Sequence, residues 1–280
     1  MKKILIPVLM ALFCLLPCSM EAKVVKVLSI GNSFSEDAVE QHLHDLAAAD
    51  GIDVIIGNLY IGGCSLKKHL ANAESDNPAY RYRKIGTDGK MEQIKGCTLE
   101  HGLLDEEWDY ISFQQQSGQS GLYETWEASL PQLLEYVKSK APAKTKFMLH
   151  QTWAYDQTST HKNFKNYGND QVKMYNAIVD AVNRASRLVG IKIVIPSGTA
   201  VQNARTTILK DTITRDGYHL HKTFGRYVAA CTWFETLFQK NVIGNAYKPE
   251  TMTEQQQLAA QKSAHATVRR PAKCTKIKEI

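Results

Sequence analysis

Three residues of this sequence, Ser33, Asp216 and His219, have the chemical types needed for nucleophilic catalysis. A serine hydroxyl becomes a nucleophile when a histidine accepts its proton, and a carboxylate bonded to that histidine fixes its tautomer. Asp216 and His219 are three residues apart, so a loop or a first helical turn would let their side chains touch. Ser33 follows an apolar run that ends in a glycine and an asparagine. The alternative to catalysis for Ser33 is a structural serine in a turn or at a helix cap. For Asp216 and His219 the alternative is a salt bridge within a loop.

Apolar runs with the composition of β-strands alternate with helical patterns along most of the chain. We predict strands at 24–30, 52–60, 108–116, 146–153 and 191–198, and helices at 36–50, 126–139, 171–188 and 224–238. The strand segments are continuous apolar runs, which is typical of strands covered on both faces. Their spacing suits right-handed βαβ crossovers. The sequence therefore predicts an α/β fold, a three-layer α/β/α sandwich with a five-stranded parallel sheet, and a hairpin or excursion around 86–90.

Polar residues collect just after the predicted strands, where open parallel sheets form their ligand sites. The second strand ends near Gly62 and Gly63, and the third ends in a glutamine run that includes Gln114 and Gln116. The oxyanion of an acyl transfer needs preorganised donors. The backbone N–H groups of Ser33 and of one of the two glycines, together with a side-chain amide from the third strand, would supply three donors.

Four further residues near the strand ends are candidates for substrate binding: Asn32, Tyr60, Trp153 and Arg205. For the two aromatic residues, packing in the core is the alternative to stacking on a sugar. For the arginine, the alternative is a place on the surface.

Three neighbours of these segments have ordinary structural interpretations. Ser35 is the better candidate for the N-cap of the first helix, because two acidic residues follow it. Cys64 follows the glycine pair, and we interpret it as a small buried residue or a disulfide partner rather than a nucleophile. His221 lies two residues after His219 and would face another way in a helix, which disfavours a metal pair.

The segments Gly31-Asn32-Ser33, Gly62-Gly63 and Asp216-Gly217-Tyr218-His219 resemble, in this order, sequence blocks of the SGNH hydrolases, the GDSL-type esterases. The resemblance extends over about residues 24–245. The sequence departs from the family pattern at two positions. Asn32 occupies the place of an aspartate, and Gln116, with Gln114 as a competitor, occupies the place of an asparagine. Residues 108–117 resemble a Bacteroidetes-type sub-branch whose substrates are largely unassigned.

The resemblance implies a flavodoxin-like fold and ester hydrolysis through an acyl-enzyme, without a metal or cofactor. Ser33 would be the nucleophile, His219 the base and Asp216 its orienting partner, with Ser33, Gly63 (or Gly62) and Gln116 as the oxyanion hole. Many exported members of the family remove acetyl groups from sugars, so we expect a small-molecule or glycan ester as substrate. A non-catalytic carbohydrate-binding protein and a lysophospholipase or thioesterase are the alternatives.

The two ends of the chain differ in character from its middle. Residues 1–22 have two lysines followed by an apolar stretch, which predicts a signal peptide and export to the periplasm or the extracellular space. The stretch is short for a membrane span. A lipid anchor at Cys18 is the less favoured alternative. We expect a hydrolase domain at 23–261 and a basic C-terminal tail at 262–280.

The charge of the chain argues against a nucleic-acid partner. The net charge is +6, and removal of residues 1–22, with two lysines and a glutamate, leaves +5. Residues 262–280 contain six basic residues and one glutamate, so the body between them is neutral. A solvated end is therefore the favoured interpretation of the tail.

Four cysteines remain beyond residue 22: Cys64, Cys97, Cys231 and Cys274. Export would permit disulfides, but the sequence does not choose among the pairings, and it does not indicate an oligomeric state.

Overall fold

A seven-stranded sheet forms the centre of the fold in the computed structural model, which describes residues 23–278. Its strands are β1 Val25–Gly31, β2 Val54–Tyr60, β3 Tyr80–Ile85, β4 Met91–Cys97, β5 Tyr110–Phe113, β6 Lys146–His150 and β7 Ile193–Ile195. They are arranged in the order β4-β3-β2-β1-β5-β6-β7. Five of them, β1, β2, β5, β6 and β7, are parallel, as the sequence predicts. The hairpin β3–β4 extends this sheet by two antiparallel strands, so the expected count of five is too low.

Helices cover both faces of the sheet, and the predicted three-layer α/β/α architecture is confirmed. The helices are α1 Ser33–Val39, α2 Leu43–Ala49, α3 Leu66–Glu74, α4 Leu99–Leu104, α5 Tyr123–Glu127, α6 Leu130–Lys140, α7 Gln171–Val189, α8 Ser197–Ala204, α9 Phe224–Phe238 and α10 Glu254–Arg269. Helices α1, α2, α8 and α10 pack around α9 in one layer. Helices α3, α4 and α5 pack with α6 and α7 in the other.

The burial of the central strands explains their apolar composition. In β1, Val27, Leu28 and Ile30 are completely buried, because helices lie on both sides of this strand. All four tryptophans of the chain are also buried in the core: Trp108, Trp126, Trp153 and Trp233. Large aromatic side chains bury much apolar area, so they contribute strongly to the free energy of folding.

The helix predicted at 36–50 is two helices in the structure. Helix α1 ends at Val39 and α2 begins at Leu43. His42 lies between them and is buried, with one ring nitrogen 3.1 Å from Lys222 O and the other 2.9 Å from the Tyr247 hydroxyl. These contacts with distant segments explain the break, which contains neither glycine nor proline.

The C-terminal segment differs most from the sequence prediction. The boundary expected at residue 261 falls inside α10, which packs on α8 and α9. The side-chain amide of Asn203 donates to Ser263 O at 3.2 Å and to Thr267 Oγ1 at 2.7 Å, and these three residues are buried. Lys262 and Arg269 therefore belong to a helix whose other face lies in the core, and the chain after it is still bonded to the domain, since Ile277 N donates to Thr206 Oγ1 at 3.0 Å.

The predicted signal peptide, including Cys18, lies outside the described residues. Within residues 23–278, none of the helices combines the length and the apolar character that crossing a bilayer requires. Cys64, Cys97, Cys231 and Cys274 are free thiols in the same part of the chain.

Candidate active site

The turn between β1 and α1 places Ser33 at the first position of α1. Asn32 is the N-cap, and its side chain accepts a hydrogen bond from the Phe34 N–H at 3.0 Å. The expectation that Ser35 caps this helix is therefore wrong; its hydroxyl donates to Asn32 O at 2.7 Å from inside the helix. Gly31 is required by a close approach, since a Cβ there would lie 2.5 Å from Ser35 Oγ.

Ser33, His219 and Asp216 form a continuous hydrogen-bonded chain. His219 Nε2 lies 2.9 Å from Ser33 Oγ, and His219 Nδ1 lies 2.7 Å from Asp216 Oδ2. A carboxylate only accepts hydrogen bonds, so Nδ1 carries the proton and Nε2 accepts from the serine hydroxyl. This is the geometry of an activated serine.

The loop of Asp216 and His219 is ordered by its own carboxylate. Asp216 Oδ1 accepts hydrogen bonds from the Tyr218 N–H at 3.2 Å and the His219 N–H at 2.8 Å. Burial alone would raise the pKa of Asp216, but the hydrogen bonds from the side chain and backbone of His219 lower it below its usual value. Asp216 is therefore a stable anion at neutral pH.

Asp37, which the sequence analysis missed, connects α1 to this loop. Its side chain is completely buried, and Oδ2 accepts a hydrogen bond from the Leu220 N–H at 2.8 Å. Arg215 Nη1 and Arg226 Nη2 lie 3.1 Å and 2.7 Å from Oδ1. Burial raises the pKa of Asp37, and the two guanidinium groups oppose that shift. The available signal was its position four residues after Ser33, on the same face of a helix.

Three potential oxyanion donors lie at one cavity of about 420 Å³, which Ser33, Gly62, Gly63, Gln116 and His219 all line. Among residues 23–278, no acceptor bonds the backbone N–H of Ser33 or of Gly63. Gly63 adopts φ +61°, a left-handed conformation that favours glycine. Gly62 lines the same cavity, so both glycines remain candidates for the second backbone donor.

Of the two glutamines proposed for the third donor, only Gln116 lines the cavity. Its Oε1 is buried without a partner in the described part of the chain, so Nε2 is the end of the amide that the cavity exposes. Gln114 is buried, and its Nε2 donates to Asn32 Oδ1 at 2.8 Å. Its Oε1 accepts from His150 Nδ1 at 2.7 Å. Gln114 therefore supports the turn from below and does not face a substrate.

Asn32 was expected to bind substrate, and the structure places it elsewhere. It is buried, its Oδ1 accepts from Phe34 N and Gln114 Nε2, and its Nδ2 donates to Cys64 O at 2.9 Å. Asn32 thus ties the serine turn to the end of β5 and to the glycine loop after β2. Its role is to hold three loops together.

Two more of the expected substrate contacts are internal. Trp153 is completely buried, stacks on Phe34 with ring centroids 4.3 Å apart, and donates Nε1–H to Tyr218 O at 2.7 Å. Arg205 donates to Ala154 O at 3.0 Å and pairs with Asp156 at 2.8 Å. Neither residue lines the cavity, because both side chains complete buried contacts under its loops.

Tyr60, the fourth expected contact, does line the cavity. The Arg83 guanidinium lies over its ring, 4.2 Å from the centroid. Cys64 is buried, and burial raises the pKa of its thiol to about 12, which disfavours a thiolate nucleophile. His221 stacks on Phe224 at 4.0 Å outside the cavity lining.

Five cavity residues were missed at the level of sequence: Glu36, Ser117, His161, Arg215 and Tyr218. Arg215 and Tyr218 flank or belong to the Asp216–His219 motif, which was an available signal. His161 comes from a loop after β6 that carries no motif. Among residues 23–278, no three acidic, histidine or cysteine side chains group together as metal ligands would.

The architecture is an α/β/α sandwich with the candidate residues at the carboxyl ends of its parallel strands, as the sequence predicts. A protein-family model described as a domain of unknown function, DUF4886, matches residues 26–267. The chain therefore belongs to the DUF4886 family. The crystal structure of a DUF4886 family protein from Bacteroides uniformis ATCC 8492 shares 52% identity, covers 91% of this chain and 98% of that chain, and has a TM-score of 0.90.

More distant structures have lower similarity. A candidate SGNH hydrolase from Slackia heliotrinireducens is 17% identical, with 77% of this chain and 100% of that chain covered and a TM-score of 0.48. An acetylxylan esterase from Geobacillus stearothermophilus is 12% identical, with coverage of 81% and 97% and a TM-score of 0.48. At these TM-scores neither likeness bears on what this chain does. No curated protein matches the chain.

Proposed function

We propose that this protein is a serine esterase that hydrolyses its substrate through an acyl-enzyme. The observation that carries the proposal is the chain Ser33 Oγ–His219 Nε2–Asp216, with distances of 2.9 Å and 2.7 Å, beside two backbone N–H groups that have no acceptor within residues 23–278. A serine in a turn has no need of a histidine already held in the correct tautomer.

In the proposed first step, Ser33 Oγ attacks the ester carbonyl and its proton passes to His219 Nε2. Asp216 stabilises the imidazolium that forms, because its carboxylate already bonds Nδ1. The carbonyl oxygen becomes an oxyanion, which the N–H groups of Ser33 and Gly63 (or Gly62) and the amide of Gln116 stabilise.

Collapse of the tetrahedral intermediate breaks the bond to the alcohol, whose oxygen takes the proton from His219. The acyl group remains on Ser33. A water molecule then gives a proton to His219 and attacks the acyl carbonyl, and the released proton returns to Ser33 Oγ. The products are a carboxylic acid and an alcohol.

The lining of the cavity favours a short acyl group on a polar alcohol. Its residues are glycines or carry polar, charged or aromatic side chains, and no aliphatic side chain is among those that the structure describes there. A long acyl chain gains affinity from buried apolar area, which this cavity does not offer. We therefore propose an O-acetyl ester of a carbohydrate as the substrate, in preference to a lysophospholipid or a thioester.

The test is hydrolysis of p-nitrophenyl acetate and of O-acetylated sugars, together with labelling by a fluorophosphonate probe. We expect turnover and labelling by the wild type and neither by Ser33→Ala. Binding of glycans without turnover and without labelling would instead establish the non-catalytic carbohydrate-binding protein.

We further propose that residues 1–22 direct export and are removed. The pattern of lysines, apolar stretch and small residues supports this proposal. Fractionation of cells that produce the full chain, with N-terminal sequencing, tests it. A mature protein that begins near residue 23 outside the cytoplasm is the expected result, and retention of residues 1–22 would contradict it.

A further inference from the structure

His161 lines the cavity but takes no part in the chain of Ser33, His219 and Asp216. Its ring packs against Tyr155 and Tyr218, with ring centroids 4.8 Å apart in each pair. Tyr218 in turn contacts His219, with centroids 4.1 Å apart. A single aromatic ring thus separates His161 from the proposed base.

The local backbone fixes the proton position on His161. Its Nδ1 accepts a hydrogen bond from the Asn163 N–H at 3.2 Å, at the start of the 3-10 helix Lys162–Tyr167. A neutral imidazole that accepts at Nδ1 carries its proton at Nε2. Burial, with a smaller contribution from the positive charge of Lys162, lowers the pKa of His161 below its usual value, which favours the neutral ring.

In this tautomer, Nε2 is the nitrogen of His161 that can donate a hydrogen bond, and the residue lines the cavity. Among residues 23–278, no group accepts a hydrogen bond from it. The aromatic neighbours leave the ring little freedom to turn away. A donor held in this way is preorganised, so a ligand oxygen that meets it loses little conformational entropy.

The position of His161 relates it to the alcohol part of the ester. During acyl transfer, His219 Nε2 gives its proton to the leaving oxygen, so the alcohol part must approach His219. The carbonyl oxygen is directed instead to the N–H groups of Ser33 and Gly63. Tyr218 contacts both His161 and His219, so an alcohol part that approaches His219 also approaches the ring of His161.

We propose that His161 forms a subsite for the alcohol part of the ester, where Nε2–H donates a hydrogen bond to a hydroxyl or ring oxygen of a sugar. The proposal rests on the proposed esterase function, and it adds the residue that distinguishes a hydroxylated alcohol from a plain one. His161 is a binding residue here, and the reacting atoms remain those of Ser33 and His219.

Two substitutions of His161 separate this role from its role in the backbone turn. In His161→Gln, the side-chain amide reaches the region of Nε2 and keeps a donor there, but the acceptor at Nδ1 is lost. In His161→Asn, the side-chain oxygen replaces Nδ1 as acceptor for Asn163 N–H, but the donor at Nε2 is lost. A purely structural histidine would tolerate asparagine better, and a substrate donor would tolerate glutamine better.

The measurement is kcat/KM for two substrates, phenyl acetate and the best hydrolysed of a set of mono-O-acetylated methyl glycosides. The alcohol part of phenyl acetate has no oxygen other than that of the ester bond, so it offers His161 no further acceptor. For His161→Asn we expect a loss of about three- to tenfold on the glycoside, the effect of one hydrogen bond, mainly through KM. The loss on phenyl acetate should be smaller, and His161→Gln should retain more glycoside activity than His161→Asn.

His221 supplies a matched control. Its Nδ1 also accepts from the N–H two residues later, that of Thr223 at 3.2 Å, but the residue does not line the cavity. His221→Asn and His221→Gln should therefore not change the ratio of glycoside to phenyl acetate activity.

The outcomes are distinguishable. Equal losses on both substrates, better activity of His161→Asn than of His161→Gln, or hydrolysis of phenyl acetate with no glycoside hydrolysed would overturn the subsite while the esterase stands. Absence of Ser33-dependent hydrolysis of phenyl acetate would overturn the proposed function and the subsite with it.

Discussion

Asp37, four residues after Ser33 on helix α1, accepts a hydrogen bond from the backbone N–H of Leu220, the residue that follows His219. The helix that carries the proposed nucleophile thus also holds the loop that carries the proposed base. The contact is buried, and Arg215 and Arg226 compensate the carboxylate charge. The separation of Ser33 and His219 is therefore set by a link of a few atoms, although 185 residues of chain lie between them.

The first prediction follows from this link. Asp37→Ala should lower the free energy of unfolding by about 3 kcal/mol, because it leaves Arg226 partly uncompensated and the Leu220 N–H without its acceptor. It should also lower kcat, since the His219 loop loses its attachment to α1. Urea unfolding and ester hydrolysis measure the two effects. Asp37→Asn keeps an acceptor and should retain more activity; equal activity of Asp37→Ala and the wild type would contradict the link.

The second prediction concerns the members of the hydrogen-bonded chain. Ser33→Ala and His219→Ala should each lower kcat by about 10³-fold or more, and the double variant should be no worse than the single ones, because the residues act as one unit. Steady-state kinetics of the three variants with p-nitrophenyl acetate test this. Multiplicative losses in the double variant would show that the two residues act independently.

The third prediction separates the two glutamines. Gln116→Ala should lower kcat by about 10²-fold through loss of an oxyanion donor, with little change in thermal stability. Gln114→Ala should instead lower the melting temperature, because it leaves the buried Nδ1 of His150 unpaired and removes one of the two hydrogen bonds that Asn32 Oδ1 accepts. Kinetics and calorimetry of both variants are the measurements. If Gln114→Ala kept its stability and lost more kcat than Gln116→Ala, Gln114 would be the oxyanion donor and the prediction would be wrong.

The fourth prediction is a pH dependence of stability at Asp216. Its folded-state pKa is lowered, so its ionised form stabilises the fold above the unfolded-state pKa of about 3.9. That stabilisation is lost as the pH falls through the lower folded-state pKa. The wild type should exceed Asp216→Asn in free energy of unfolding at pH 7, and the difference should shrink below about pH 4. Urea unfolding at pH 7, 4 and 3 checks this, and a constant difference would refute it.

The fifth prediction concerns helix α10. A chain that ends at residue 261 loses the hydrogen bonds of Asn203 with Ser263 and Thr267 and that of Ile277 N with Thr206. These bonds alone represent about 3 kcal/mol, and the melting temperature should fall by about 6–12 °C. The full chain with Lys273→Gln and Lys276→Gln is the control, because it changes charge and keeps the helix. An unchanged melting temperature of the shortened chain would contradict the packing of α10.

The sequence predicted the parallel core strands and the residues at their ends because both depend on local patterns. Continuous apolar runs identify strands covered by helices, and Ser33, Gly63 and Gln116 follow such runs directly. Asp216 and His219 are close in sequence, so their contact needed no knowledge of the fold. Their proximity to Ser33 followed from the general position of sites in parallel sheets.

The misplaced residues depend on contacts between distant segments. Asn32, Trp153 and Arg205 have polar or aromatic side chains that suit a binding site, but each completes a buried contact that appears only when loops from several strands meet. Helix α10 was missed because its alanine- and glutamine-rich sequence has few large apolar residues, and small side chains let it pack closely on α8 and α9. Local pattern does not report such contacts.

The hydrogen bonds beneath the serine turn have a single direction. Gln114 Oε1 can only accept, so His150 donates to it from Nδ1 and accepts from the Ser197 hydroxyl at Nε2. Gln114 then donates to Asn32, and Asn32 donates to Cys64 O. An aspartate in place of Asn32 could accept from Gln114, but it would turn a carboxylate oxygen toward the Cys64 carbonyl, acceptor against acceptor. Asn32, which departs from the SGNH pattern, can accept from Gln114 and also donate to Cys64 O. It thereby connects this series of hydrogen bonds to the loop that follows the glycine pair.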